Sequence, residues 1–239
     1  MKILIIAAGK GSRLWEKTYQ FPKTLLPFGK ETLLSQILKN FSNIGISESI
    51  LVVGFQSQLI REYLGYHDNF GLTITIIENP EWEKGNGISV YAARTLLEED
   101  EPFLLSMSDH LVSPTALNKI KTCESDRNIV LVDPRLDSIF DIEDATKVKF
   151  HGSRILAIGK ELQDFNGVDC GIFKLNAHFF QTAEERIHQG YESLTELIRP
   201  LIQQEQLIPC IIPDESWWMD IDTPVSYEHA ILIRDRLLL

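Results

Sequence analysis

Cysteine is scarce in this chain: Cys123, Cys170 and Cys210 are its three thiols. Their odd number, wide spacing and lack of any CxxC or Cys/His grouping exclude a zinc cluster and a disulfide framework, and a reducing, cytoplasmic compartment is the expected one. Positive charge is also short. Against 34 Asp and Glu stand 23 Lys and Arg, a formal net charge of −11, which leaves no broad basic face to neutralise a nucleic-acid backbone or an anionic membrane. Any phosphate is therefore expected in a local pocket. Long apolar runs are lacking too: the opening MKILIIAAGKG breaks at glycines after a handful of residues, too short for a signal-peptide core or a spanning helix.

What is present is an ordinary globular composition, 44% apolar and 24% charged over 239 residues, enough for one large core. Lys2 to Ala8 is a continuous apolar run, the pattern of a strand buried on both faces of a parallel sheet. Thr32 to Ile44 has helical spacing, Ser49 to Gly54 is a second buried strand, and the alternation continues. Ser57 to Leu64 and Ser89 to Leu97 read as helices; Leu72 to Glu78 and Pro102 to Met107 read as strands. Past residue 125 the pattern is richer in strands, at Asn128 to Val132, Lys147 to Phe150, Arg154 to Ile158 and Val168 to Lys174, with helices over Ala177 to Gln189 and Ser193 to Glu205. The order predicts an α/β fold with a doubly wound, mostly parallel mixed sheet and ligands at the carboxyl ends of its strands. No low-complexity linker or repeat divides the chain, so residues 1–239 are expected to form a single domain with a nucleotide-binding half to about residue 125 and an acceptor-binding half beyond. The closing HAILIRDRLLL is expected to form a helix that packs on the core or on a second copy, a possible homodimer.

Six strings carry the chemistry. AAGKGSRL, residues 7–14, follows the opening strand: Gly9 and Gly11 permit a close turn whose N–H groups form an anion-binding concavity, and Arg13 adds a planar fork for phosphate oxygens. A plain tight turn is the competing reading. A dinucleotide site fits less well, because Leu14 stands at the third glycine of GxGxxG, no acidic residue closes the second strand, and there is no Walker lysine. FPKTLLPFGKETLL, residues 21–34, brings Lys23 toward the same turn. ENPEWEKGNGISVYAAR, residues 78–94, leads a turn into a helix: Ser89 reads as a cap or first-turn residue and Asn86 carries an amide suited to a base edge. FLLSMSDHL, residues 103–111, places Asp109 at the end of a central strand, where a carboxylate can bind a hard cation. WWMDIDTP, residues 217–224, offers Asp220 and Asp222 two apart, so that on a strand both emerge on one face and complete a Mg²⁺ site with Asp109. His110 is expected to hydrogen-bond or pack beside it. In DATKVKFHGSRILAIGKELQDFNGVDCGIF, residues 144–173, Lys147 and Lys160 are candidates for an acceptor's phosphate, against a reading of each as a solvated charge.

The paired GxGxRL and PKxLLP signatures resemble the nucleotidyltransferase superfamily of sugar-phosphate pyrophosphorylases, with a GT-A-like, Rossmann-like fold. The resemblance implies that Ala7, Ala8, Gly9, Gly11, Arg13 and Lys23 surround the phosphates of CTP or another NTP. The strings NPEWExGNGxS, ATKV, IGK and VDxGIF are similar to the branch that handles inositol 1-phosphate, which has phosphocholine and phosphonate cytidylyltransferases as relatives. By that likeness Gly85, Asn86 and Ser89 face the base and ribose, Lys160 and less directly Lys147 hold the incoming phosphate, and Asp169 accepts hydrogen bonds from acceptor hydroxyls. The chain departs from the pattern at Thr24, where proline is frequent, and at Cys170, where threonine is usual; neither removes a charge. Members of the branch are often joined to a membrane-spanning synthase, so any second step is expected to need another polypeptide. The expected partners are thus an NTP and a small phosphorylated alcohol, with no nucleic acid and no membrane insertion. The expected catalytic set is Arg13, Lys23, Asp109 and Lys160. A phosphocholine or aminoalkylphosphonate cytidylyltransferase, a sugar-1-phosphate uridylyltransferase and a nucleotide-sensing regulatory module remain as alternatives.

Overall fold

The computed structural model describes residues 1–14, 21–98 and 101–237. In its first half the strands are β1 (Ile3–Ala7), β2 (Pro27–Phe28), β3 (Glu31–Thr32), β4 (Glu48–Val53), β5 (Thr73–Glu78), β6 (Phe103–Met107) and β7 (His110–Val112). The helices there are α1 (Leu33–Asn43), α2 (Ser57–Tyr66), α3 (Asn86–Ala92) and α4 (Pro114–Thr122). The second half adds β8 (Asn128–Asp133), β9 (Lys147–His151), β10 (Arg154–Gly159), β11 (Gly167–Leu175), α5 (His178–His188), α6 (Leu194–Gln203), β12 (Leu207–Ile211), β13 (Trp218–Asp220) and α7 (Pro224–Leu237).

One nine-stranded mixed sheet carries both halves. Strands β6, β1, β4 and β5 lie side by side and parallel, with Ile3 opposite both Ser49 and Leu104. The second half joins through β11, which runs antiparallel to β6, pairing Ile172 with Ser106, and also to β8 and β9. Because side chains alternate along a strand, β1 supplies two cores. Ile3, Ile5 and Ala7 face Leu34, Leu38 and Phe41 of α1 with Leu64, Leu117 and Ala230, whereas Leu4, Ile6 and Ala8 face Val90, Phe179, Ala183 and Leu197. Helices α1, α2, α4 and α7 thus cover one face and α3, α5 and α6 the other, which is the doubly wound architecture the alternation implies.

Two helix starts follow from sequence chemistry. Thr32 and Ser35 form a reciprocal cap on α1, and Ser193 and Glu196 do the same on α6. The hairpin β2–β3, the short pair β7–β13, helix α4 and strand β12 have no counterpart in the periodicity. Strands of two or three residues are too short to show it. Helix α4 does carry a start signal, with Ser113 as cap and Pro114 in its first turn. The helix expected over Ser89 to Leu97 instead begins at Asn86, ends at Ala92 and gives way to a 3₁₀ turn at Arg94–Leu96.

The start of α3 is pressed against the start of α6, and this fixes Gly87. A Cβ there would lie 2.6 Å from both the Glu192 carbonyl and Leu197 Cδ1. Helix propensity alone favours alanine over glycine by about 1 kcal/mol, yet crowding of this kind costs about 1–3 kcal/mol. Gly87→Ala is therefore expected to destabilise the protein by about 1 kcal/mol in urea denaturation; a rise in midpoint would contradict this packing.

Candidate active site

The carboxyl ends of β1 and β6 open into a cavity of about 410 Å³, the place where a doubly wound sheet presents its loops. On one side lies the turn after β1. Gly11 there has φ +65°, and a Cβ would meet Lys23 Cβ at 2.6 Å, so glycine is needed both for the left-handed backbone and for the approach of Lys23. The turn tightens through Leu14 N–H donating to the Gly11 carbonyl at 2.9 Å, which leaves Arg13 exposed at the cavity rim.

Lys23 is buried, with 7% of its surface exposed, and its ammonium donates to Asp109 Oδ2 at 2.6 Å and Asp222 Oδ1 at 2.7 Å. Burial opposes its charge, but the two carboxylates outweigh burial and push its pKa upward. Asp109 shows the converse: burial disfavours its charge, and Lys23 and His110 overcome this and hold it well below the usual carboxylate range. Arg13 bridges Asp222 and Asp144, the latter at 2.5 Å.

His110 Nδ1 lies 2.8 Å from Asp109 Oδ1 and 3.8 Å from Asp220 Oδ1. Burial lowers its affinity for a proton, but Asp220, Asp109 and Asp169 raise the pKa to about 9, so the imidazole is charged at neutral pH. Its ring stacks on Trp218 at 5.9 Å between centroids and 9° between planes, and Trp218 Nε1 donates to Asp133 Oδ2 at 2.9 Å. Burial and the nearby carboxylates push Asp220 up to about 6, and burial does the same to Asp169 despite its bond from Gly171 N–H at 2.7 Å. Gly171 has φ +74°, and a Cβ there would fall 2.3 Å from His110 Cδ2, so the irregularity in β11 between Asp169 and Phe173 makes room for the imidazolium.

Asp109, His110 and Asp220 offer ligand atoms within 4.8 Å of one another. Asp220 Oδ1 is buried without a hydrogen-bond partner, and Asp222 is held beside Asp109 by the shared Lys23. The charged His110 cannot ligate, so the donors of this cluster are the oxygens of Asp109 and Asp220, one of them unsatisfied, and with Asp222 on the same Lys23 as Asp109 they suit a hard divalent cation such as Mg²⁺. The two aspartates of WWMDIDTP do not share a strand face as expected: β13 ends at Asp220, and Asp222 lies beyond it, where its N–H and that of Thr223 donate to Ser226 Oγ at 3.0 Å.

Of the residues singled out in the sequence, Ala7, Gly9, Gly11, Arg13, Lys23, Asn86, Ser89, Asp109, Lys160, Asp169, Asp220 and Asp222 line this cavity. Ala8 is buried in the core beneath it. Gly85 is the cap of α3, and its N–H donates to Glu192 Oε2 at 3.2 Å. Ser89 is no cap; it lies within α3, where Asn79 Nδ2 donates to its hydroxyl at 3.0 Å. Asn86 Oδ1 accepts from Leu194 N–H at 2.8 Å, which leaves its amide NH₂ for a ligand. Lys147 requires a correction: it is 7% exposed, stands off the cavity, and donates to the carbonyls of Glu143 at 2.9 Å and Lys160 at 3.0 Å. It clamps two backbone segments rather than reaching a phosphate. Asp144, Phe140 and Trp218 line the cavity without having been singled out, although Asp144 and Trp218 lie inside quoted motifs.

Removing one partner of a buried ion pair costs about 3–5 kcal/mol. Lys23→Met should thus lower the unfolding free energy of the ligand-free protein by about 3 kcal/mol. An unchanged melting curve would show that Lys23 does not neutralise Asp109 and Asp222.

Comparison with known proteins gives this geometry its family. The "Nucleotidyl transferase" family model matches residues 2–137. The chain is 33% identical over 230 residues to the "Bifunctional IPC transferase and DIPP synthase" of Aquifex aeolicus, a match to 95% of this chain and 50% of that protein. The protein of the same name from Archaeoglobus fulgidus is 31% identical, over 96% of this chain and 43% of its own length; the chain spans about half the length of these curated relatives. Among solved structures, the inositol-1-phosphate CTP transferase from T. maritima superposes with a TM-score of 0.86 and 25% identity, covering 99% of this chain and 95% of the other. The signatures around Arg13 and Lys23, the doubly wound sheet and the family match agree, and the chain belongs to the nucleotidyl transferase family.

Proposed function

We propose that this protein transfers CMP from CTP to inositol 1-phosphate and releases pyrophosphate, with Mg²⁺ held by Asp109, Asp220 and Asp222. The observation that carries the reading is the gathering of charge in one cavity: Arg13, Lys23 and Lys160 line it together with Asp109, Asp144, Asp220 and Asp222. Two anionic substrates can meet there only if cations attend both. Cytosine and inositol phosphate as the specific partners rest on likeness to the T. maritima transferase.

The acceptor's phosphate is already an anion at neutral pH, so no protein base is needed to activate it. One of its oxygens attacks the α-phosphorus in line, the new P–O bond forms as the bond to the β-phosphate oxygen breaks, and pyrophosphate leaves with that electron pair. Arg13 and Lys23 support the leaving phosphates, Lys160 fixes the nucleophile, and Asn86 presents its amide NH₂ to the nucleotide. Catalysis is then orientation and charge stabilisation. The metal, when bound, neutralises charge on the phosphate oxygens. His110 holds Asp109 in place.

Asp169 lines the cavity and can accept hydrogen bonds from an acceptor's hydroxyls. Among the rings that line the cavity, Trp218 stacks on His110 at 5.9 Å, Phe140 on His229 at 4.4 Å, and Trp82 tilts against Phe55 at 5.4 Å. No described helix is long and apolar enough to cross a membrane.

The test is a pyrophosphate-release screen with Mg²⁺, crossing five nucleotides with inositol 1-phosphate, phosphocholine, 2-aminoethylphosphonate, glycerol 3-phosphate and hexose 1-phosphates. Release with CTP and inositol 1-phosphate is the expected result; activity confined to another pair would overturn the substrate assignment, and silence throughout would favour a regulatory module. In the active pair, Asp109→Ala should lower turnover by about 10³-fold or more, and wild-type-like rates would reject its metal role. Lys160→Ala should raise the acceptor KM by about tenfold or more, since a charge-assisted bond to phosphate is lost; an unchanged KM would remove Lys160 from the acceptor site.

A further inference from the structure

Asp144 contacts both of the cations assigned to opposite substrates. Its Oδ2 accepts from Arg13 NH1 at 2.5 Å and its Oδ1 from Lys160 Nζ at 3.1 Å, one oxygen for each. Arg13 follows β1, on the nucleotide side, and Lys160 follows β10, on the acceptor side. Asp144 itself lies between β8 and β9, in a segment fixed at both ends. At the near end Arg135 donates from its backbone, Nε and NH2 to Asp133 at 2.8–2.9 Å and from NH1 to the Asp214 carbonyl at 2.8 Å. At the far end the buried Lys147 ammonium holds the carbonyl of Glu143, next to Asp144, and that of Lys160. The backbones that carry Asp144 and Lys160 are thereby pinned to one internal cation.

Exposed ion pairs of this type add little to stability, and Asp144 and Lys160 are 38% and 53% exposed. Their arrangement is better matched to geometry than to fold stability. Arginine has five donors and lysine three, so each can keep Asp144 while taking a phosphate oxygen. Both side chains are otherwise rich in rotamers, and an anchored carboxylate restricts them.

We infer that Asp144 is a positioning residue that couples the two substrate sites: nucleotide engaged by Arg13 orders Asp144, which in turn aims Lys160 at the acceptor's phosphate. The inference rests on the nucleotidyl-transfer reading above. Coupling of this kind is reciprocal. The acceptor's apparent KM falls as CTP approaches saturation, and CTP binds more tightly when acceptor is present.

The experiment measures initial rates over a grid of CTP and acceptor concentrations for the wild type, Asp144→Asn, Lys160→Ala and the double variant, using the pair on which the wild type is active. Asp144→Asn is isosteric, and an unchanged melting temperature checks that it folds; Asp144→Glu, which keeps the charge, should recover part of any loss. The expected result is an acceptor KM raised about tenfold at saturating CTP, a typical size for site-to-site coupling, with a smaller change in kcat. The dependence of acceptor KM on CTP should be lost, and Asp144→Asn should add no further rise to Lys160→Ala. An acceptor KM within twofold of the wild type, or a rise of equal factor in the Lys160→Ala background, overturns the inference while the wild-type activity stands. Silence of the wild type on every pair overturns the underlying reading instead.

Discussion

Six aspartates, Asp109, Asp141, Asp144, Asp169, Asp220 and Asp222, line one cavity at the end of a buried sheet, and like charges at close spacing repel unless something separates them. The ligand-free protein answers with cations from distant parts of the chain. Lys23 lies between Asp109 and Asp222, Arg13 between Asp222 and Asp144, and His110 beside Asp109 and Asp220. The result is an alternating chain of charges from Lys160 through to Asp220. Much of the local backbone follows from it: Gly11 is bare so that Lys23 can reach the carboxylates, and Gly171 is bare so that His110 can sit among them.

The same chain explains how an acidic protein can take two anions. None of its cations is new when substrate arrives; each is already present, aimed and partly desolvated. Under the proposed reading, a divalent cation on the carboxylates would leave Lys23 and Arg13 with fewer anionic partners in the protein, and phosphates would replace them. Reorganisation would then be confined to side-chain exchanges, as expected of a preorganised electrostatic site. Outside that shell, Asp133 holds Trp218, Trp218 stacks on His110, and Lys147 ties the Asp144 and Lys160 backbones.

Much of the fold could be read from the chain because long buried strands announce themselves. Lys2 to Ala8 and Ser49 to Gly54 have no other sensible place, and the glycine-rich break after the first locates the cavity. Residue types tied to one backbone event were also legible, as with Gly11 and the Ser193–Glu196 cap. Legibility failed where a role depends on a partner far away in sequence. Lys147 and Lys160 look alike as lysines at strand ends, and it is the carbonyls of Glu143 and Lys160 that turn the first inward. Asp144 is unremarkable until Arg13 folds back 131 positions to meet it. Asp220 and Asp222 have the spacing of one strand face, but the strand ends between them, and that end is set by pairing with the three-residue β7, whose pattern is too short to see.

In the proposed reading, the cations that now hold the carboxylates are those that hold the substrates. A crystal structure of the protein with CTP and Mg²⁺ tests it most directly. The expected structure has Asp109, Asp220 and Asp222 on the metal, and Lys23 and Arg13 turned from Asp222 to phosphate oxygens in the cavity after β1. Nucleotide bound elsewhere, or bound there with the Lys23 and Arg13 bridges to Asp222 unbroken and no metal on the carboxylates, would contradict it.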